Sequence, residues 1–139
     1  MSTNWQDVAR TTLEGAEGDR MTFPEGVKLL MEAGLDGYAA DFRSAARIYY
    51  RPDGETLELP AAWGAEKVAE RFDPEALKSA IREAQMQVPG YTYKGFCAKV
   101  VAAGCAGYVV SLLGRRVLYY GRTGETHTEY FPGSRPGIS

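Results

Sequence analysis

The chain has 139 residues, of which 45% are hydrophobic, and a formal net charge of −2. This is the balance of a single globular domain rather than of a disordered polypeptide. No apolar run reaches the roughly 18–20 residues that a membrane-spanning helix needs, and residues 1–5 lack the features of a signal peptide. We therefore expect a cytoplasmic protein with no membrane partner.

The charge is divided unevenly along the chain. Residues 1–90 carry 10 Lys and Arg against 16 Asp and Glu, a net charge of −6, whereas residues 91–139 carry 6 against 2, a net charge of +4. Such halves can face each other within the fold or across a homodimer, and an uneven solvated surface is the simpler alternative. The basic residues are too sparse for a nucleic-acid footprint, so we expect no nucleic-acid partner.

Two helices are predicted at the start of the chain. Thr3 is a candidate N-cap with Gln6 in the capping-box position, and an apolar stripe at helical spacing follows. A second helix begins after Thr22, with Glu25 as its capping-box partner, and ends at Gly34.

Three strands joined by tight turns are predicted next, over residues 37–43, 47–51 and 55–59, because apolar and polar side chains alternate there. A short helix is predicted over residues 61–70. A longer helix begins after Asp73, which is followed by Pro at the first helical position.

The same order of elements is predicted again after residue 90. Thr92 caps a helix, and strands follow over residues 105–113, 116–120 and 125–131. The first of these strands is the most apolar stretch of the chain, which predicts a central strand covered on both faces. Gly114 and Arg115 are predicted to form the tight turn that follows it.

The second set of elements resembles the first in sequence. An offset of seventy residues aligns residues 21–56 with residues 91–126 without gaps, and ten of these 36 pairs are identical, where roughly two are expected from ordinary composition. The matches include Ala33/Ala103, Gly34/Gly104, Tyr38/Tyr108, Tyr49/Tyr119 and Tyr50/Tyr120. We interpret this pattern as an internal duplication.

The duplication predicts an α+β domain with pseudo-twofold symmetry, in which helices cover antiparallel sheet. The two three-stranded meanders either merge into one sheet or pack as two. The single domain is divided into repeats at about 3–60 and 73–132, a connector at 61–72 and a flexible tail at 133–139.

Tandem tyrosines and nearby arginines form the first candidate site. In each of the pairs Tyr49–Tyr50 and Tyr119–Tyr120 one ring should face the core and the other should face outward. The outward rings could form a binding patch, and the alternative is that aromatic residues simply suit strands. Arginines at the hairpins could contact phosphate or an acidic partner, or could only keep the sheet ends soluble; they are Arg43, Arg47, Arg51, Arg115 and Arg116.

The single histidine, His127, gives a second candidate site. It alternates with Glu125 and Glu129 on the last predicted strand, so the three side chains should project to one face and could perform acid–base chemistry. The alternative is an exposed strand residue among charged neighbours. The position seventy residues earlier is Leu57.

No cofactor or metal site is predicted. Cys97 and Cys105 fit no metal spacing and should be reduced and buried. The chain contains no P-loop, dinucleotide-binding, zinc or nucleophile-elbow motif.

Four runs of sequence together resemble the uncharacterised YbcV-like family, often labelled "phage envelope protein", which occurs in bacterial genomes and prophages. They are T-F-P-E-G-V-x-x-L-x-x-A-G at 22–34, Y-Y-x-P-D-G-E at 49–55, A-I-R-E-A-Q at 80–85, and the run from G-Y-V-V-S-L-L-G-R-R through E-Y-F-P at 107–132. The resemblance covers roughly residues 18–132. It implies a small α+β domain of unknown function, and it transfers no catalytic residue.

These observations favour a non-enzymatic module that binds a protein or a small ligand through the solvated face of the sheet. The contacts would be Tyr49 or Tyr50, Tyr119 or Tyr120, and the hairpin arginines. Two alternatives stay open: an enzyme for a small polar substrate that uses His127 with Glu125 or Glu129, and a phage-encoded modulator of a host protein.

Overall fold

Within residues 4–62 and 67–131, which a computed structural model describes, the chain forms helices and antiparallel strands in the α+β class that the sequence predicts. The helices are α1 (Trp5–Glu17), α2 (Phe23–Glu32), α3 (Pro74–Met86) and α4 (Tyr93–Ala102). The strands are β1 (Gly37–Asp41), β2 (Ala46–Tyr50), β3 (Thr56–Pro60), β4 (Cys105–Ser111), β5 (Arg116–Gly121) and β6 (Thr126–Tyr130).

Side-chain caps fix where the helices begin. The capping box of α2 is present, because Thr22 accepts from the Glu25 backbone and the Glu25 carboxylate accepts from the Thr22 backbone. Asp73 and Thr92 cap α3 and α4 as predicted. The cap of α1 is Asn4, whose Oδ1 accepts from the Gln6 amide at 2.7 Å. Thr3, the predicted cap, lies outside the described residues.

The strands form one sheet, in the order β3-β2-β1-β4-β5-β6 with every neighbouring pair antiparallel. The two meanders therefore merge through pairing of β1 with β4. The predicted strand over residues 105–113 is central but ends at Ser111, and residues 112–115 form the turn instead of Gly114 and Arg115 alone.

Helices cover one face of this sheet in the described part of the chain, and Val109 of β4 is exposed on the other, so the prediction that β4 is covered on both faces is wrong. Residues of α1 to α4 pack toward the face that carries Tyr38, Tyr49, Tyr108 and Tyr119, which we call the inner face. On the opposite, open face, the side chains of Tyr50, Val109 and Leu118 are each 37% exposed. Val109 and Leu118 are cross-strand neighbours there, so an apolar strand does not by itself imply two covered faces.

Two other predictions concern the connecting segments. The short helix predicted over residues 61–70 is absent from residues 61–62 and 67–70, and residues 63–66 lie outside the described part of the chain. The predicted tail, residues 133–139, also lies outside it.

Elements of the two halves occur in the same order, and most of them are seventy residues apart. Helix α4 begins and ends seventy residues after α2, as β6 does after β3. Gly34 and Gly104 both follow their helices with positive φ, at 83° and 90°. This agreement is what a duplication requires, although the duplication itself stays an interpretation.

Gly34 and Gly104 differ in their surroundings, which gives a matched stability test. A Cβ at Gly34 would meet nothing within 4 Å, whereas one at Gly104 would overlap the Arg71 carbonyl oxygen. We expect Gly34→Ala to lower the free energy of unfolding by about 1–2 kcal/mol through φ alone. Gly104→Ala should cost roughly 1–3 kcal/mol more, because the backbone around residue 71 has to move.

Urea denaturation of both variants measures the difference. Equal losses would contradict the close packing of residue 71 against the end of α4.

Candidate functional site

A cavity of about 480 Å³ lies between the helices and the inner face of the sheet. Its wall is mostly aliphatic and aromatic, with residues from α1 to α4 on one side and residues from β1, β2, β4, β5 and β6 on the other. Phe23 and Phe131, whose ring centroids are 5.6 Å apart, meet at its outer end. Small-molecule sites commonly have this size and an apolar wall of this kind.

Arg47 on β2 lies at the deep end of this cavity and is only 2% exposed. Its Nη1 donates to the Tyr49 hydroxyl at 3.1 Å, and its Nη2 donates to the hydroxyls of Tyr93 at 2.7 Å and Tyr108 at 3.2 Å. Its Cζ lies 4.5 Å from the centroid of the Tyr38 ring, within the range of a cation–π interaction. We call Arg47 and these four tyrosines the arginine–tyrosine cluster.

The tyrosines of this cluster do not neutralise the arginine. Burial raises the pKa of Tyr93 and Tyr108 well above the ordinary value, more than the guanidinium beside them lowers it, and burial also raises the pKa of Tyr38. These phenols are therefore neutral at physiological pH, while a guanidinium is always charged.

Within the described residues, no carboxylate neutralises Arg47 either. Over residues 4–62 and 67–131 Arg47 has no ion pair with Asp or Glu, and its Nε has no hydrogen-bond partner. A buried charge without a counter-ion is costly, since an uncompensated one destabilises a protein by roughly 3–5 kcal/mol. The hydroxyl hydrogen bonds and the cation–π contact offset part of this cost.

The sequence hypothesis assigned Arg47 to a solvated hairpin, and the structure corrects this. Strand residues two apart share a face, so Arg47 points inward with Tyr49. Both tandem pairs divide as predicted: Tyr49 and Tyr119 are buried on the inner face, while Tyr50 is exposed and Tyr120 half-buried. The predicted contact residues therefore lie on opposite faces of the sheet.

The remaining hairpin arginines stay at the surface. Arg115 is exposed in the turn between β4 and β5. Arg116 is exposed on β5, with its Cζ 4.7 Å from the Tyr130 ring centroid. Arg43 is exposed in the turn after β1, and the half-buried Arg51 lies over Trp5, with its Cζ 5.4 Å from the indole centroid.

His127 and Glu129 are close together on β6, the edge strand that borders the outer part of the cavity. His127 Nε2 lies 2.6 Å from Glu129 Oε2, and the imidazole ring stacks on Tyr119 with centroids 6.4 Å apart. Glu125, the third member of the predicted group, precedes the strand and accepts from the Thr123 hydroxyl at 2.8 Å. Hence only His127 and Glu129 form a dyad.

The dyad and Arg47 are far apart on the same face. Leu59, Arg47, Ala40, Tyr108, Tyr119 and His127 form one row across the sheet. Four inter-strand steps separate β2 from β6, which places the backbones of Arg47 and His127 about 19 Å apart. They therefore cannot act together on one reacting atom.

The cysteines are free and buried, as predicted. Burial raises the pKa of Cys97 to about 12 and that of Cys105 to about 11, so neither is a thiolate nucleophile at neutral pH. In the described part of the chain, no three His, Cys, Asp or Glu side chains come together as metal ligands.

Comparison with known proteins identifies the family of this chain. The model of a family described as "Protein of unknown function (DUF1398)" matches residues 16–129. The chain belongs to this family. The match runs from α1 to β6 and includes every member of the arginine–tyrosine cluster. A search of curated proteins finds no significant match. No helix of this DUF1398 protein, within the described residues, is long and apolar enough to cross a membrane.

Sequence reasoning missed the cavity and the parts played by Tyr38, Tyr93 and Tyr108. One signal was available, because the alternation that buries Tyr49 also buries Arg47. The contribution of Tyr93 depends on how α4 crosses the sheet, which no local pattern encodes.

The cluster leads to a stability prediction for Arg47→Met. The change removes hydrogen bonds from a charged donor, and it also removes a buried charge to which the described residues offer no counter-ion. Because Tyr93 and Tyr108 already bond each other at 2.6 Å and Tyr49 lies 3.4 Å from the Thr12 hydroxyl, the hydroxyls keep partners. We expect a free energy of unfolding within about 1 kcal/mol of the wild-type value, or above it.

Arg43→Met, at an exposed turn position, is the matched control in the same urea titrations. A loss of more than about 3 kcal/mol for Arg47→Met alone would make Arg47 a structural residue.

Proposed function

We propose that this protein is a non-enzymatic binding module that takes a small molecule into the cavity between its helices and the inner face of its sheet. One observation carries the proposal: the cavity has a charged Arg47 at its deep end, and the described residues supply no counter-ion. An uncompensated buried charge costs stability. A bound ligand of opposite charge would compensate it, which would explain why the cavity contains Arg47.

The site that we propose differs from the solvated face of the sheet that the sequence favours. Tyr50 and Tyr120 lie on the open face, while Arg115 and Arg116 are exposed beside the β4–β5 turn. Exposed arginines at strand ends contribute little affinity, because water and salt screen their charge. The cavity, in contrast, removes a ligand from water on several sides.

A second candidate function is an enzyme for a small polar substrate, favoured by the His127–Glu129 contact of 2.6 Å at the cavity border. A carboxylate orients a histidine for proton transfer in many active sites. Glu125, the third member of the predicted group, precedes β6 and accepts from Thr123 instead, so we place this candidate second.

A third candidate is a protein partner, which includes a homodimer or a host protein modulated by a phage-encoded factor. The resemblance to YbcV-like prophage proteins supports a phage context, and the cytoplasm is the compartment we infer for it. The exposed pair Val109 and Leu118 on the open face favours such an interaction.

Filling the cavity should weaken ligand binding if the cavity is the binding site. Ala84 on α3 lines the cavity, so Ala84→Trp should weaken binding of the probe 1-anilinonaphthalene-8-sulfonate at least about tenfold, or about 1.4 kcal/mol. Ala98→Trp places the same side chain at an exposed position of α4 and should leave affinity unchanged. Fluorescence titration measures both affinities, and circular dichroism checks that both variants are folded.

Native mass spectrometry of freshly purified protein provides a second readout. We expect a bound mass on the wild-type protein and on Ala98→Trp but not on Ala84→Trp. Equal probe affinities for the two variants, with no bound mass on either, would reject the cavity as the binding site.

A further inference from the structure

We propose that the ligand is a small monocarboxylate with an apolar, aromatic body, whose carboxylate pairs with Arg47 at the deep end of the cavity. This inference rests on the proposed binding function and specifies the chemical class of its ligand.

The free hydrogen-bonding capacity of Arg47 argues for an oxyanion. A guanidinium has five N–H donors, and in the described structure three hydrogen bonds lead from it to Tyr49, Tyr93 and Tyr108. The Nε–H and one Nη1 N–H are left, and Nε is buried without a partner. The Nε–H and the free Nη1 N–H lie on different edges of the planar guanidinium, and Nε is buried, so a carboxylate in the cavity would accept from the Nη1 N–H alone. This charge-assisted hydrogen bond would also compensate the charge of Arg47.

We infer the charge of the ligand from the charged side chains at the buried end of the cavity. Arg47 is the cationic side chain of the buried cluster, whereas Arg20, the other arginine on the cavity wall, is exposed. One buried positive charge balances one negative charge. A phosphate monoester carries nearly two at pH 7, and the excess would be buried without a partner at a cost of several kcal/mol.

The acidic residues on the wall do not oppose a carboxylate at Arg47. Asp19 accepts from the Tyr93 backbone amide, Glu25 belongs to the α2 capping box, and Glu129 pairs with His127. Asp19 and Glu25 are exposed, and the Glu129 side chain is 30% exposed. Glu129 also lies on β6, four strand spacings from Arg47, so that the two backbones are about 19 Å apart along the sheet.

We infer the chemical character of the rest of the ligand from the side chains that line the rest of the cavity. Aromatic side chains supply much of it, among them Tyr91, Tyr93, Phe96, Tyr119 and Phe131. Aromatic rings favour stacked or edge-to-face contact with other rings, and long polar chains would leave groups unpaired in this wall. An aromatic body with one carboxylate therefore fits the charge and the surface together.

Three probes with one body separate the alternatives: 2-naphthoate, 2-naphthamide and 2-naphthyl phosphate, titrated calorimetrically into the full chain at pH 7.5. We expect 2-naphthoate to bind about 10- to 100-fold more tightly than the neutral amide, which is the range for a hydrogen bond to a charged group. The phosphate should bind more weakly than 2-naphthoate. Arg47→Met should lower 2-naphthoate affinity to that of the amide while amide affinity stays unchanged, and Arg47→Lys should fall between.

The wild-type comparison needs no variant, so the proposal stays testable if Arg47→Met does not fold. Equal affinities of 2-naphthoate and 2-naphthamide that are both lost in Ala84→Trp would overturn the carboxylate and keep the cavity. Tighter binding of 2-naphthyl phosphate would also overturn it, in favour of a dianion. Failure of all three probes, together with unaltered dye binding in Ala84→Trp, would reject the binding function itself.

Discussion

The candidate site of this protein depends on a buried positive charge, the guanidinium of Arg47. It joins β2 to Tyr38 of β1, Tyr108 of β4 and Tyr93 of α4, so a single side chain connects the two halves of the chain. Burial keeps the phenols of Tyr93 and Tyr108 protonated at neutral pH, and within residues 4–62 and 67–131 no ion pair joins Arg47 to a carboxylate. The cluster is therefore held together by hydrogen bonds and ring contacts, and its net charge stays +1.

Most of the fold follows from local signals in the sequence. The caps at Thr22, Asp73 and Thr92 depend on side chains within three residues of the amides they bind, and strand alternation is equally local. The error at β4 has a physical reason: Val109 makes the strand look apolar throughout, yet it faces solvent beside Leu118. A run of apolar residues shows only the composition of a strand. Whether both faces of that strand are buried depends on where the helices pack.

The site was less predictable than the fold, for two different reasons. Arg47 and Tyr49 are two residues apart on one strand, so a buried Tyr49 predicts that Arg47 also points inward. We placed Arg47 at the surface instead, because most arginines in proteins are exposed. The cavity was not implied at all, because its volume depends on the distance between helices and sheet. His127 shows the intermediate case, since alternation with Glu129 predicted their contact correctly while Glu125, just before the strand, turned to Thr123.

A comparison of residues seventy positions apart distinguishes those that the fold needs from those of the candidate site. The inner-face tyrosines correspond in pairs, Tyr38 with Tyr108 and Tyr49 with Tyr119, and all four are buried. The charged and polar residues of the inner face do not correspond. Val117 is seventy residues after Arg47, and Leu57 and Leu59 are seventy residues before His127 and Glu129. At each of these positions, the other half of the chain has an apolar residue, Val117, Leu57 or Leu59. An apolar side chain is therefore sufficient there for the sheet to pack against the helices. The charged residues are therefore not required by the packing of the fold, and this is the reason for proposing that a ligand contacts Arg47 in the cavity.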